Sequence, residues 1–357
     1  MKSKKKIVLC RTVSGLAAAV LLVGFLVAAG CILRPKYRSV SPEGSLTGEY
    51  YADVAEVSHD LLFIGDCEVY ESFIPAVLWQ EYGISSYVRG SAQQLVWQSY
   101  YMLADALRYE TPRVVVFNVL SLMYGEPQSE AYNRMTLDGM EWSPVKVSAI
   151  RASATAGESF ASYLLPALRY HSRWDQLTAE DLRYAFRAGE PVSDSGYLLQ
   201  TGVQPRDPSV NDAELKKPLI NAALPASSME WLDRLYRLCE ENGILLVLFK
   251  APTNSWHYWW YDEWDAEISA YAARRSLPYC NAIPAADSIG LDWSADTYDG
   301  GVHLNVSGAE KLSVWFGRYL RADSALSDAL PDRRTDSAFS SVWRARVERF
   351  EARKRGQ

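Results

Sequence analysis

Three short apolar runs, separated by helical patterns, constrain the fold of this chain more than any other feature. The runs cover residues 61–64, 86–88 and 113–119, and the first is unalternating, as expected for a buried parallel strand. Apolar positions spaced as in helices lie between them, over residues 72–82 and 92–109. Strands alternating with helices in this way predict right-handed βαβ units, and therefore an α/β fold with a three-layer, doubly wound parallel sheet.

The same pattern returns in the second half of the chain. A helix is predicted over residues 228–242, followed by a buried strand over 244–249 and a second helix over 261–275. Residues 278–280 predict a last short strand, and residues 307–320 predict a closing helix. These elements extend the sheet that the first half begins.

The predicted α/β domain covers residues 58–321. Residues 121–225 mix polar loops with short helical pieces, so we interpret them as an insertion over the edge of the sheet. Residues 322–357 form a charged tail, whose end has the spacing of a short amphipathic helix through Trp343 and Phe350.

The N-terminus predicts a membrane anchor over residues 1–33. Residues 12–33 are uncharged and long enough to cross a hydrocarbon core of about 30 Å as a helix. Basic residues precede them, which predicts a cytoplasmic N-terminus and an extracytoplasmic body. A cleaved signal peptide, or a lipoprotein cleavage before Cys31, is the alternative. Residues 34–57, which contain several Pro and Gly, predict an irregular polar stalk.

Composition excludes several classes of function. Lys and Arg number 37 against 43 Asp and Glu, and no long basic run occurs, so nucleic-acid binding is not expected. The four His residues are scattered, which predicts no metal site, and no Gly-rich phosphate loop follows a strand. The predicted body contains Cys67, Cys239 and Cys280, and their spacing does not decide whether Cys239 and Cys280 form a disulfide.

Chemistry-bearing residues cluster at two places in the pattern. Residues 65–68 (Gly-Asp-Cys-Glu) follow the first strand, and residues 296–303, which run from an Asp to a His, precede the closing helix. This layout resembles the SGNH/GDSL hydrolase superfamily. It is most similar to the membrane-anchored, cell-surface branch that includes the D-alanine transfer protein of the teichoic acid system and the alginate O-acetylation proteins. The resemblance covers residues 60–120 and 244–320.

The resemblance implies a catalytic centre of three residues. Cys67 stands at the position of the family's Ser nucleophile, and His303 stands at that of the general base. The family's acid lies three residues before the His, where this chain has Gly300. We therefore expect Asp299 to orient the base if the flexible loop bulges, with Asp296 as the second choice.

The resemblance also implies an oxyanion hole formed by Gly90 and Asn118. Structural alternatives remain beside these roles. Cys67 fits a small buried residue after a strand, and Glu68 fits a residue that caps a helix N-terminus. His171 is the rival candidate for the base.

Two further segments are candidates for contacts with a substrate. Trp256, Trp259 and Trp260 follow a strand at the active edge of the sheet, where they would form either a stacking platform for a glycan or part of the core. Arg134 lies in a polar loop past the third strand, and is either a substrate contact or part of an ordinary turn.

The function that the resemblance implies is acyl transfer or ester hydrolysis on a cell-surface glycopolymer. No cofactor is expected, because a nucleophile, a base and backbone N–H groups suffice for this chemistry. A transferase of this branch would receive its acyl group from a multi-span membrane O-acyltransferase. The alternative is a non-catalytic scaffold that binds the glycan or that membrane partner.

Overall fold

A computed structural model describes residues 2–36, 44–183, 185, 191–207, 219 and 222–356, with side chains from residue 11 onward. Its strands form one parallel sheet in the order β2-β1-β3-β4-β5. They are β1 (Leu61–Gly65), β2 (Ser86–Gly90), β3 (Val114–Asn118), β4 (Leu245–Lys250) and β5 (Tyr279–Asn281). The predicted parallel α/β sheet is confirmed.

Helices connect and flank these strands. In chain order they are α1 (Lys2–Leu33), α2 (Ser45–Glu56), α3 (Cys67–Tyr70), α4 (Pro75–Tyr82), α5 (Val96–Ala106), α6 (Glu130–Leu137), α7 (Pro144–Ser153), α8 (Phe160–Leu164), α9 (Ala167–Tyr170), α10 (Ala179–Arg183), α11 (Ala226–Glu241), α12 (Asp262–Arg275), α13 (Ala286–Ile289), α14 (Val306–Ala322), α15 (Ser324–Ala329) and α16 (Ser337–Gly356). Single 3₁₀ turns cover Val119–Met123, His171–Asp175 and Trp256–Tyr258.

Both faces of the sheet are covered, which explains why its strands are apolar without alternation. On one face, Phe63 of β1 stacks on Phe73 with ring centroids 4.0 Å apart, and Phe73 packs against Phe316 of α14. The helices α4, α14 and α16 share this side of the core. The helices α5 and α11 pack against each other and against β1 and β4. The result is the predicted three-layer arrangement.

The strand order places a switch point between β1 and β3. From β1 the chain builds outward to β2, and it then returns to add β3, β4 and β5 on the other side. Loops after the two central strands diverge at such a point and leave a crevice at the carboxyl edge of the sheet. Functional residues are therefore expected at the ends of β1, β3 and β4.

Residues 2–36 and 156–183 belong to a second unit, separate from the sheet. Within this unit, the stretch Arg11–Leu33 of α1 is long and apolar enough to cross a membrane, and it is the one such helix among the described residues. The segment carrying α8, α9 and α10 packs against α1.

The stalk differs from the prediction. Residues 37–43 lie outside the described residues, but α2 occupies most of the remainder up to residue 56. Leu46 and Tyr50 of this helix are buried. The Tyr50 ring packs against the Tyr87 ring of β2, with centroids 5.3 Å apart, and the Arg89 guanidinium lies 3.9 Å from the centroid of the Tyr50 ring. Tertiary packing outweighs the Pro and Gly residues that suggested an irregular stalk.

The charged tail is folded against the sheet unit. The amphipathic helix expected at its end is present as α16, where Trp343 and Phe350 are fully buried. Trp343 stacks on Trp79 of α4 with ring centroids 5.3 Å apart. The disulfide left open by the sequence is not formed, since Cys239 and Cys280 are both unpaired.

Candidate active site

The turn after β1 places Cys67 at the carboxyl edge of the sheet. Asp66 caps α3, because its Oδ1 accepts the Glu68 backbone N–H at 3.1 Å. A Cβ at Gly65 would lie 2.6 Å from Val69 Cγ2, so the strand can turn into the helix only with glycine at this position. Cys67 is the first residue of α3 and is 8% exposed.

The loop before α14 carries His303, the one His near the Cys67 thiol in the described part of the chain. His303 Nδ1 lies 2.6 Å from Asp299 Oδ2, and the His303 backbone N–H donates to Asp299 Oδ1 at 2.8 Å. Gly300 and Gly301 between them both have positive φ, at 77° and 88°. Because this conformation favours glycine, the pair allows the loop to bulge and bring Asp299 onto the imidazole.

The Cys67 thiol interacts with two rings. Its Sγ donates to Tyr258 Oη at 3.4 Å, and Tyr258 packs edge-on against His303 at 5.2 Å. Burial raises the pKa of the Cys67 thiol, and the neighbouring His303 opposes this rise. His303 Nε2 is buried and makes no hydrogen bond of ordinary geometry in the described part of the chain, although His303 and the Cys67 thiol interact directly. The nitrogen that a general base would use is therefore not held by another group.

Glu71 supplies a second carboxylate to the base, which the sequence analysis missed. Its Oε2 lies 3.3 Å from His303 Nδ1, and its Oε1 accepts the Tyr298 hydroxyl at 2.8 Å. Burial raises the pKa of Glu71 to about 7, and the nearby His303 acts to lower it. Burial alone would lower the pKa of His303, but Cys67, Glu71 and Asp299 together raise it well above its usual value.

A buried polar network lies behind the nucleophile. Asn118, at the end of β3, donates from Nδ2 to Asp66 Oδ1 at 3.0 Å and to Glu68 Oε2 at 2.9 Å. Lys250, at the end of β4, pairs with Glu68 Oε1 at 2.6 Å, and both side chains are almost fully buried. Burial and the Glu68 carboxylate raise the pKa of Asp66 to about 7. The Glu68 side chain is thus one half of an ion pair, beyond any effect on the helix terminus.

The two predicted oxyanion residues have different environments. Both hydrogens of Asn118 Nδ2 are directed at carboxylates, so this side chain holds the β1 turn instead of facing an oxyanion. Gly90 ends β2 and pairs with Gly65. A Cβ at Gly90 would lie 3.2 Å from the carbonyl oxygens of Gly65 and Asp66, so glycine allows β2 to approach the turn that carries Cys67.

Two other predicted site residues have structural partners. Asp296, the second choice for the acid, is 1% exposed and pairs with Lys311 at 2.5 Å instead of with the base. Arg134 is 1% exposed and pairs with Glu130 at 2.9 Å and Asp138 at 3.3 Å on its own helix α6. Burial among these carboxylates explains why Arg134 is not presented to a substrate.

The aromatic segment divides between surface and core. Trp256 is partly exposed and stacks on the exposed His257, with ring centroids 3.9 Å apart. Trp259 is also partly exposed. Trp260 is 3% exposed and packs edge-on against Trp264 at 5.3 Å, so it belongs to the core. Of the three predicted platform residues, Trp256 and Trp259 remain accessible.

A narrow pocket opens beside the thiol. Gln93 on its wall has φ of +50°, a conformation that is uncommon for residues other than glycine. The residues that line it with Cys67 and Tyr258 are Asp66, Gln93, Gln94, Leu95, Leu120, Ser121 and Tyr124.

Among the residues that the structure describes, no group of three or more His, Cys, Asp or Glu side chains could hold a metal ion.

No family model matches the chain. No curated protein matches it either. Among solved structures, a candidate acylhydrolase from Bacteroides fragilis is similar over 79% of this chain and 96% of its own, at 12% identity and a TM-score of 0.36. A GDSL-like lipase from Bacteroides thetaiotaomicron is similar over 79% of this chain and 97% of its own, at 12% identity and a TM-score of 0.35. Similarity at this level says nothing about the chemistry of the site.

Proposed function

We propose that this chain is a membrane-anchored, SGNH/GDSL-type protein that transfers or hydrolyses an acyl group on a cell-surface glycopolymer. One observation carries the proposal: the Cys67 thiol lies at the carboxyl edge of the sheet beside His303, whose Nδ1 is held by Asp299 at 2.6 Å. A nucleophile, a base and an acid that orients the base are the groups that acyl transfer requires.

In the first step, Cys67 Sγ attacks the carbonyl carbon of an ester while His303 Nε2 takes the thiol proton. Burial raises the pKa of the Cys67 thiol, so the thiol depends on His303 to take its proton. Asp299 then stabilises the imidazolium through Nδ1. The backbone N–H groups of Cys67 and Gly90 are the proposed donors to the oxyanion, each typically worth about 3 kcal/mol.

In the second step, the leaving alcohol takes the proton from His303 and a thioester remains on Cys67. An incoming hydroxyl group, from a glycan or from water, then gives its proton to His303 as its oxygen attacks the thioester. The acyl group leaves on that oxygen and the thiol is restored with its proton. Since a thioester stays reactive toward hydroxyl groups, it suits onward transfer.

Other parts of the chain support the proposed location and substrate class. The apolar helix α1 would anchor the protein with its basic N-terminus in the cytoplasm, which leaves the sheet domain outside. The accessible rings of Trp256 and Trp259 would stack on sugar faces. A multi-span membrane O-acyltransferase is the proposed source of the acyl group.

The test is the intact mass of the full chain in detergent after incubation with p-nitrophenyl acetate. We expect a single acetyl group, released by hydroxylamine, that disappears in Cys67→Ala and in His303→Ala. Cys280→Ala is the matched control, because Cys280 is also a buried, unpaired thiol, and it should acetylate as the wild type does. An acetyl group that persists in Cys67→Ala would contradict the proposal.

The second candidate function is a non-catalytic scaffold that binds glycan or a membrane partner. The burial of Cys67 and the raised pKa of its thiol favour it. In that case Cys67 would react slowly with iodoacetamide in the folded protein and take no acetyl group, while glycan binding would survive Cys67→Ala. Acetylation that depends on both Cys67 and His303 would exclude it.

A further inference from the structure

Exposed apolar side chains outside α1 are concentrated in one segment. Most large hydrophobic residues that stay exposed elsewhere in the described chain are isolated, as is normal for a protein surface. Residues 160–182 differ, because six such side chains lie within 23 positions, and Trp174 is 72% exposed. They are Phe160, Leu164, Leu168, Trp174, Leu177 and Leu182.

This segment is attached to the last turns of α1, in the same unit. A Cβ at Gly30 would lie 3.5 Å from Pro166 and 3.6 Å from Ala167, so the backbone of α1 is in van der Waals contact with the start of α9. The Arg173 guanidinium donates to the Leu33 carbonyl, one of the C-terminal carbonyl groups that α1 leaves without a helical partner.

The position of α1 fixes the depth of the segment. Arg11–Leu33 is 23 residues long, or about 34 Å as a helix at 1.5 Å per residue, slightly more than a hydrocarbon core of about 30 Å. If α1 spans the membrane, the turn from Gly30 to Leu33 lies at the boundary between acyl chains and headgroups. A segment in contact with that turn lies at the same boundary.

We propose that residues 160–182 form an interfacial membrane segment, which lies along the outer leaflet beside the end of α1. Helical segments that carry large apolar side chains together with basic residues bind this zone, and Trp is enriched there. Leu164 and Leu168 are 55% and 51% exposed, and a lipid environment would remove both from water. The inference rests on the proposed anchoring by α1.

The experiment uses photo-crosslinking in the full-length protein, reconstituted in phospholipid nanodiscs. Leu168→p-benzoylphenylalanine and Trp174→p-benzoylphenylalanine place a photoreactive ketone at two points of the segment. Val20→p-benzoylphenylalanine reports whether α1 meets lipid, since Val20 is 65% exposed in the middle of the helix. Trp142, an exposed aromatic residue of the sheet unit, gives the background yield when replaced in the same way.

We expect a mass increase of one phospholipid at 20, 168 and 174, well above the yield at 142. Adducts at 20 with only background at both 168 and 174 would overturn the interfacial segment and leave the anchor intact. Background at 20 would overturn the anchor, and the inference with it. If irradiation of native membranes instead joins 168 and 174 to a protein, the surface is a docking site for that partner and the inference is wrong. Using two positions guards against one variant that fails to fold.

Discussion

Asp299 contacts His303 twice, since one carboxylate oxygen meets the ring Nδ1 at 2.6 Å and the other accepts the His303 backbone N–H at 2.8 Å. The two residues are four positions apart, one more than the resemblance implies. Gly300 and Gly301 absorb the extra residue in left-handed conformations. The double contact fixes both the position of the ring and the nitrogen that carries its proton.

Asp299→Asn should lower the rate of Cys67 acetylation by about 10²- to 10⁴-fold, because the imidazolium loses its counter-charge and the correct tautomer of His303 is no longer enforced. The measurement is the initial rate of acetyl incorporation by mass spectrometry. Asp296→Asn is the matched control: it removes the partner of Lys311 and leaves the contact with the base in place. Equal loss of rate in both variants would mean that Asp299 does not orient the base.

Glu71→Gln should move the pH profile of acetylation toward lower pH. Besides Glu71, the groups that face His303 are Cys67, Asp299 and the rings of Tyr258 and Tyr298. The Glu71 carboxylate raises the pKa values of both Cys67 and His303, so its removal makes the pair easier to deprotonate. The active, singly protonated pair then forms at lower pH.

The profile is measured as the rate of acetylation across pH in Glu71→Gln and in wild type. Glu348→Gln supplies the control, since Glu348 is an exposed residue of α16, and its profile should match that of the wild type. A Glu71→Gln profile that keeps its midpoint and only loses amplitude would assign Glu71 a purely structural role.

The sheet and the catalytic candidates could be predicted because their signals are local. Each strand is a short apolar run, and Cys67 and His303 stand directly beside a strand end and a helix start. Glu71 and Lys250 could not be found in this way. Lys250 and Glu68 are 182 positions apart in the sequence, and no local pattern around either residue predicts their contact.

The same limit explains where the structure differs from the expectations. Asn118 has the right position for an oxyanion donor, yet the neighbouring carboxylates take both of its amide hydrogens. The Pro and Gly residues of the stalk predict irregular structure, whereas Tyr50 packs against residues of β2 that only the folded chain brings near it. Local composition misses stabilisation that arises from distant contacts.

Lys250→Met should lower the free energy of unfolding by about 3–5 kcal/mol, because it leaves the Glu68 carboxylate buried without its counter-ion. The double variant Lys250→Met/Glu68→Gln should recover much of this loss, since it removes the charge as well. The measurement is urea unfolding of the full chain in detergent, followed by near-ultraviolet circular dichroism.

An exposed pair gives the comparison. Arg334 and Asp332 lie 2.6 Å apart and are about half exposed, so Arg334→Met should cost less than about 1 kcal/mol. Losses of equal size in the two single variants, or a double variant as unstable as Lys250→Met, would show that burial of the Glu68 charge is not what makes Lys250 necessary.

Trp343→Ala should lower the free energy of unfolding by about 3–5 kcal/mol, the usual cost of deleting a fully buried Trp side chain. Trp343 is fully buried, stacks on Trp79 and donates from Nε1 to Ser85 Oγ at 3.1 Å. Trp142→Ala, at a site that is 47% exposed, is the control and should cost far less. Urea unfolding in detergent compares the two variants, and a small loss for Trp343→Ala would mean that α16 docks on the sheet unit without stabilising it.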